Sequence, residues 1–173
     1  MDHLQLSDRP TLYPDCCCSI SRGLIQTLLS ILPSDPELTL SVGSGSGLLE
    51  ALLLRQSRKL NVHGVEVSSS VNKYLPEERT QLVAGTWALA SSAKDASAWI
   101  FVYPREVQLI EKYIQSYGKG IVRQIIWIGP LADREEAETT LLEEGWNAET
   151  IQSIGHGSVI LETRPLHQSA RTS

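Results

Sequence analysis

Apolar residues alternate along the chain between short continuous runs and longer stretches in which they recur every three or four positions. Short runs are typical of buried strands, and the periodic stretches are typical of amphipathic helices. The runs predict seven strands, at 38–42, 62–67, 81–84, 98–103, 121–128, 150–154 and 158–163. The stretches predict helices at 21–32, 48–54, 68–74, 106–117 and from 133 to Gly145. This alternation indicates an α/β fold with a mostly parallel sheet and helices on both of its faces.

The last two predicted strands are separated by only three residues, Gly155, His156 and Gly157. Because a parallel crossover needs about a dozen residues or more, this last pair is predicted to be antiparallel. The length of 173 residues favours one domain. We divide it into an N-terminal helix and lid segment at 1–35, a core at 36–165 and a tail at 166–173. Asp133 and Glu136 have the spacing of a capping box at the start of the last helix.

The composition and charge of the chain disfavour some kinds of binding partner. The chain is 42% hydrophobic and 20% charged, as in soluble globular proteins, and its net charge is −5. Lys and Arg are scattered among acids, which disfavours a nucleic-acid partner. Neither a signal peptide nor an apolar run of membrane-spanning length is present, so we expect a cytoplasmic protein with no membrane partner.

The three cysteines are consecutive, at Cys16, Cys17 and Cys18. Neighbours this close do not readily bridge one another, and no other cysteine is available to pair with them. Free thiols in a reducing compartment are therefore expected. The nearest histidines, His3 and His63, do not suggest a metal site, so we predict no metal.

The strand at 38–42 leads into three alternate glycines, Gly43, Gly45 and Gly47, and a helix follows at once. Without a Cβ, such a turn lets a ligand approach the main-chain N–H groups at the start of a helix. Nineteen residues after Gly47, Glu66 ends the second strand, where a carboxylate can accept both hydroxyls of a ribose. The pattern indicates a nucleotide site. The alternative is a turn needed only for tight strand–helix packing.

A dinucleotide turn needs a small residue where this chain has Leu48, and here the third glycine falls one position earlier. That spacing, with seven strands and an antiparallel last pair, resembles the class I S-adenosylmethionine-dependent methyltransferases from about residue 19 to 164. The resemblance implies S-adenosylmethionine as the cofactor. It implies contacts from the glycine turn to the methionine part, from Glu66 to the ribose and from 85–87 to the adenine. The implied cofactor residues are Ser41, Gly43, Ser44, Gly45, Ser46, Gly47, Glu66, Val67, Gly85, Thr86, Trp87 and Tyr103.

Three positions depart from the family pattern. Ser41 and Thr86 stand where acids are common. At the end of the fourth strand, Val102-Tyr103-Pro104-Arg105-Glu106 replaces an acidic or Asn/Asp-Pro-Pro-Tyr-like signature. Trp87 is interpreted either as a platform for the purine or as a core aromatic residue.

For catalysis we select Tyr103 to orient an acceptor, with Glu106 or His156 as the base. Their alternatives are a glutamate favoured by the dipole of a helix start and a solvated turn histidine. The resulting hypothesis is methyl transfer to a small molecule, by a homo- or hetero-oligomer if a second subunit completes the site. The alternatives are an enzyme of this fold that catalyses a cyclisation or rearrangement, and a non-catalytic partner subunit with a degenerate cofactor site.

Overall fold

The computed structural model describes residues 5–154 and 157–166, and the strands in them form a seven-stranded sheet. The strands are β1 (Leu38–Val42), β2 (Asn61–Glu66), β3 (Thr80–Leu82), β4 (Ala96–Val102), β5 (Gln124–Pro130), β6 (Trp146–Ile154) and β7 (Ser158–Pro165). Their order is β3-β2-β1-β4-β5-β7-β6. Strands β1 to β5 are parallel, and β7 is antiparallel to both β5 and β6. The predicted mixed sheet with an antiparallel last pair is confirmed. Residues 155 and 156 of its turn lie outside the described residues.

In the part of the chain that the structure describes, four α-helices cover the two faces of the sheet: α1 (Arg22–Ile31), α2 (Leu48–Gln56), α3 (Gln108–Tyr117) and α4 (Arg134–Glu143). The buried side chains of α1 and α2 belong to one hydrophobic cluster, and those of α3 and α4 belong to another. Helix α1 begins where predicted, because the Ser21 side chain accepts a hydrogen bond from the N–H of Leu24 at 3.1 Å. None of the described helices is long and apolar enough to cross a bilayer.

The central strand β4 shows why its sequence is continuously apolar. Trp99 and Phe101 point into the cluster of α3 and α4, whereas Ile100 points into the cluster of α1 and α2. All three side chains are fully buried. Tyr113 of α3 meets both aromatic rings edge-on, with centroids 5.6 Å away in each case. A strand covered on both faces has no polar side, so alternation disappears.

The predicted helix at 68–74 is wrong. This segment is an irregular loop, because its backbone donors are used elsewhere. The N–H groups of Lys73 and Tyr74 donate to the carbonyl of Ser46, at 2.9 and 3.0 Å, and the hydroxyls of Ser68 and Ser70 pair with each other. Contacts with the glycine turn thus replace the internal hydrogen bonds of a helix.

Other predictions need smaller corrections. Asp133 does not form a capping box: it has helical φ and ψ, and its side chain caps nothing. A short 3-10 turn, Leu131–Asp133, leads directly into α4, and an N-cap side chain needs an extended backbone instead. Strand β5 begins at Gln124 rather than at 121, and β6 begins at Trp146 rather than at 150.

The ends of β1, β2 and β4 meet at one edge of the sheet. Val42, the last residue of β1, pairs with Val65 of β2 on one side and with Phe101 of β4 on the other. Since the chain passes from β1 to β2 in one direction and from β3 to β4 in the other, this is the point where the strand order reverses. Open α/β sheets bind their ligands outside the carboxyl ends of the strands at such a point.

Candidate functional site

The turn between β1 and α2 holds Gly43, Gly45 and Gly47 at φ of +74°, +58° and +75°. Glycine adopts positive φ without the steric conflict that a Cβ introduces. A Cβ at Gly43 or Gly45 would meet no heavy atom within 4 Å, whereas one at Gly47 would meet the side chains of Asn72 and Leu75. Gly43 and Gly45 therefore leave the main chain open to a ligand, and Gly47 permits close packing.

Glu66 ends β2 beside this turn. Its carboxylate accepts hydrogen bonds from the N–H of Gly45 at 2.5 Å and from the N–H of Val67 at 3.2 Å. The N–H groups of Gly43 and Ser44 donate to the carbonyl of Val65, one residue earlier in β2. The turn is thus fixed to the end of β2 by main chain and side chain together.

A cleft of about 370 Å³ opens at this edge of the sheet. Its volume is within the range of small-molecule sites. Nine residues selected from the sequence line it: Gly43, Gly45, Glu66, Val67, Gly85, Thr86, Trp87, Tyr103 and Glu106. The structure therefore brings the predicted ribose, adenine and acceptor residues to one cavity.

The other selected residues lie elsewhere. Ser41 is fully buried in β1, away from the lining, and Gly47 is the N-cap of α2. The Ser44 hydroxyl is buried without a hydrogen-bond partner, and the Ser46 hydroxyl donates to the Asp15 carbonyl at 2.6 Å. His156 lies outside the described residues, so its prediction stays a prediction.

The side of the cleft formed by 85–87 is open and apolar. The Trp87 side chain is 46% exposed, so the interpretation as a core aromatic residue is wrong. Its backbone carbonyl accepts from the Lys112 ammonium at 2.6 Å, which ties this loop to α3. Val67 and Val71 are also exposed, and both line the same cavity. These side chains form an uncovered surface for a flat apolar group.

Tyr103 directly follows β4 and has φ of +48°. A bulky residue rarely adopts positive φ, and such strain persists only where the surroundings hold it. Here the N–H of Tyr103 donates to the carbonyl of Ile128 in β5 at 2.7 Å. Together with Pro104, this bend places Arg105 and Glu106 on the wall of the cleft.

Residues 5–20 lie against the glycine turn and the loop at 68–75. Thr11 and Ile20 form an antiparallel bridge that folds this segment back on itself. The Asp15 carboxylate pairs with the Lys73 ammonium at 2.7 Å and accepts from the Tyr74 hydroxyl at 3.3 Å. The hydrogen bond to Lys73 lowers the pKa of Asp15. The segment thereby bounds one side of the cleft.

The cysteines of this segment are free thiols, as expected. The Sγ atoms of Cys16 and Cys18 lie 3.6 Å apart, and Cys17 lines the cleft. Burial, together with the nearby Cys16, raises the pKa of the Cys17 thiol, so a neutral thiol faces the cavity. Among residues 5–154 and 157–166, no cluster of three His, Cys, Asp or Glu side chains is suited to a metal ion.

Beneath the turn, a carboxylate of α2 contacts β1. The Ser41 hydroxyl donates to Oε1 of Glu50 at 2.5 Å, and both residues are buried, at 0% and 1% exposure. Burial raises the pKa of Glu50 to about 7, and the nearby Glu66 carboxylate adds to the rise. A carboxyl group is thus present under the turn, although it is absent from position 41 itself.

Solved structures of similar architecture are methyltransferases. A precorrin-6y C5,15-methyltransferase from Geobacter metallireducens GS-15 superposes with a TM-score of 0.64 at 13% identity, over 94% of this chain and 92% of its own. A putative tRNA (m1A22) methyltransferase from Streptococcus pneumoniae gives 0.58 at 19% identity, over 84% and 70%. The fold is that of the class I methyltransferases.

A third methyltransferase structure contains ligands. The O-methyltransferase of neocarzinostatin biosynthesis, solved with S-adenosylmethionine and 2-hydroxy-5-methyl naphthoic acid, gives a TM-score of 0.58 at 16% identity. The match covers 75% of this chain and 49% of that one. No protein-family model matches the sequence, and no curated protein does. The likeness to methyltransferases is thus one of fold.

Sequence reasoning missed two chemically active residues of the cleft, Cys17 and Arg105. Arg105 could have been selected from the sequence, since it lies two residues after the candidate Tyr103 and close to the end of β4. Cys17 had none, because nothing in residues 5–20 indicates that the segment folds over a turn that begins at Gly43. Cys17 and Arg105 are far apart in the sequence, and only folding brings both of them to the cleft.

Proposed function

We propose that this chain binds S-adenosylmethionine and transfers its methyl group to a small-molecule acceptor. The observation that most supports it is the meeting of an open glycine turn and the Glu66 carboxylate in one cleft at the reversal point of a methyltransferase fold. Positive φ by itself favours glycine at Gly43 and Gly45, so the support comes from their place in the lining of the cleft, where a Cβ would meet open space and not tight packing.

The residues present fit the cofactor. A carboxylate has about four acceptor positions, so Glu66 can accept ribose hydroxyls while it keeps the N–H of Gly45. The exposed Trp87 ring offers a surface for a purine, and the Thr86 hydroxyl lies in the same wall of the cleft. The main chain at Gly43 and Gly45 is left for the amino-acid end.

S-Adenosylmethionine, held there by the glycine turn, Glu66 and residues 85–87, would supply an electrophilic methyl group. The chain contributes position above all, since alignment of two reactants provides much of such a rate enhancement. Tyr103 orients the acceptor from the fixed bend after β4, and Glu106 on the same wall takes the acceptor's proton. His156 is the second candidate for the base.

The acceptor is inferred to be a small molecule in the cytoplasm. The cleft has a volume of about 370 Å³ and is bounded by residues 5–20 on the side of the turn. The net charge of −5 gives no general attraction for a polyanion. The three free thiols favour a reducing compartment.

Two measurements test the proposal. Isothermal titration calorimetry with S-adenosylmethionine and S-adenosylhomocysteine is expected to show micromolar binding of both. Incubation with methyl-labelled cofactor and a cell extract divided by ultrafiltration is expected to label only the low-molecular-mass fraction. No binding of either ligand would refute a working cofactor site. Binding without any labelled product would favour cyclisation, rearrangement or a partner subunit, and label in the large fraction would refute the small-molecule acceptor.

A further inference from the structure

Glu50 is a buried carboxyl group that the proposed chemistry leaves without a role. It lies in the first turn of α2 and is 1% exposed. Oε1 accepts the Ser41 hydroxyl at 2.5 Å, while Oε2 is buried with no hydrogen-bond partner. Burying an ionised carboxylate with an unsatisfied oxygen is unfavourable, so a purely structural role accounts poorly for this residue.

Among residues 5–154 and 157–166, no cation forms an ion pair with Glu50. Ser41 of β1 is a neutral donor, and Glu66 of β2 acts on it as a like charge. From the N-terminal segment, Cys16 and Cys18 are within electrostatic range and bring no positive charge. Apart from the N–H groups at the start of α2, in whose first turn Glu50 lies, the groups described around this carboxyl group are neutral or negative.

The hydrogen-bonded pair Ser41 and Glu50 lies on the two elements that flank the glycine turn. Ser41 lies two residues before Gly43 in β1, and Glu50 lies three residues after Gly47 in α2. Their hydrogen bond therefore joins the two elements that flank the open turn. Ser41 and Glu50 do not line the cleft, so this carboxyl group would act on a positive charge at the turn through space. No ion pair among the described residues already neutralises it.

We propose that Glu50, held by Ser41, is a positioning residue that supplies the buried negative charge for the cationic amino-acid end of the ligand. This inference rests on the proposed function, because it takes the ligand to be S-adenosylmethionine. Glu50 acts through the turn rather than by contact with the reacting atoms. The charge that position 41 lacks is thus provided from α2.

Three ligands separate this role from a structural one. S-Adenosylmethionine and S-adenosylhomocysteine carry an ammonium group, whereas adenosine has the same base and ribose without it. Glu50→Gln keeps the shape and is expected to weaken binding of the first two ligands about tenfold while adenosine binding is unchanged. Glu66→Gln, the matched control, is expected to weaken all three. Calorimetry in two buffers of different ionisation enthalpy should also show proton release on binding near pH 7 in the wild type and not in Glu50→Gln.

The outcomes are distinct. If the wild type binds none of the three ligands, the proposed function fails. If it binds them and Glu50→Gln binds all three unchanged, or loses adenosine equally, this inference alone is overturned. Should Glu50→Gln not fold, the relocated pair Ser41→Asp with Glu50→Ser places the charge on β1. That variant is expected to keep the wild-type ratio of S-adenosylmethionine to adenosine affinity, and a tenfold lower ratio overturns the proposal.

Discussion

Glu66 holds the glycine turn in this structure, and its proposed contact with the ligand can be tested by mutation. Its carboxylate holds the N–H of Gly45 in the free protein and remains able to accept further donors. Glu66→Ala is expected to weaken binding of S-adenosylmethionine by about 1.5–3 kcal/mol for each charged hydrogen bond lost. Calorimetry of the purified variant, with circular dichroism to check folding, measures this change.

Glu77→Ala is the control for that prediction. Glu77 is an exposed glutamate of the short 3-10 turn before β3 and does not line the cleft. Its loss removes the same charge from the protein and should leave the affinity unchanged. A folded Glu66→Ala protein with wild-type affinity would show that the ligand binds away from the end of β2.

At the scale of elements, the turn between β1 and α2 allows a prediction about ligand binding. Gly45 has φ of +58° and open space where a Cβ would lie. In Gly45→Val the new side chain would project toward the ligand, and a β-branched residue is strained at positive φ. We expect loss of S-adenosylmethionine binding together with a modest decrease in melting temperature.

Gly145→Val is the control for Gly45→Val, because it introduces the same backbone strain without blocking the cleft. Gly145 follows α4 with φ of +84°, again with no heavy atom within 4 Å of a built Cβ. It is not among the residues that line the cleft. The same substitution there should lower the melting temperature and preserve ligand affinity. Equal affinities in both variants would mean that the turn does not face a ligand.

Elements whose signal is local could be predicted from the sequence, and the others could not. Strand β1 was predicted with its observed bounds, and α1 was predicted at 21–32 from the periodic spacing of its apolar residues. The helix at 68–74 failed because tertiary hydrogen bonds to Ser46 took its backbone donors. Local periodicity contains no information about a partner that lies some twenty-five residues away in the chain.

For the site, the distinction is similar. Gly43, Gly45 and Glu66 followed from backbone geometry that a sequence pattern encodes. The Ser41–Glu50 hydrogen bond and the approach of Cys17 depend on which face of a helix or segment is buried, and that is decided by the whole core. The serine at position 41 therefore suggested that an acid was missing, although Glu50 of α2 places a carboxyl group beside it.

For the molecule as a whole, Glu50 predicts an unusual dependence of stability on pH. Its pKa is about 7 in the folded protein against 4.5 for an ordinary glutamate. Between these two values the unfolded chain ionises while the folded protein keeps the proton, so stability falls as pH rises and then levels off above pH 7. Glu50→Gln removes this penalty and is expected to stabilise the protein by about 3 kcal/mol at pH 8, but not at pH 4.5.

Urea denaturation of both proteins at these two pH values measures the difference. Glu77→Gln, which removes a charge from the surface, should change stability by less than about 0.5 kcal/mol at either pH. If Glu50→Gln were destabilised equally at both pH values, the carboxyl group would be serving as a structural hydrogen-bond acceptor. If Glu50 has a functional role, Glu50→Gln should be more stable than the wild type at pH 8 and should bind the ligand more weakly.

Because residues 5–20 are attached to the glycine turn, we expect ligand binding at the turn to be coupled to the stability of this amino-terminal segment. Ser46 bonds to Asp15 through its hydroxyl and to Lys73 and Tyr74 through its carbonyl, so the turn is a common support for two separate stretches of chain. Coupling of this kind is reciprocal. A ligand that steadies the turn will slow amide exchange at the Thr11–Ile20 bridge, and any partner that lifts the segment away will release the ligand by the same factor.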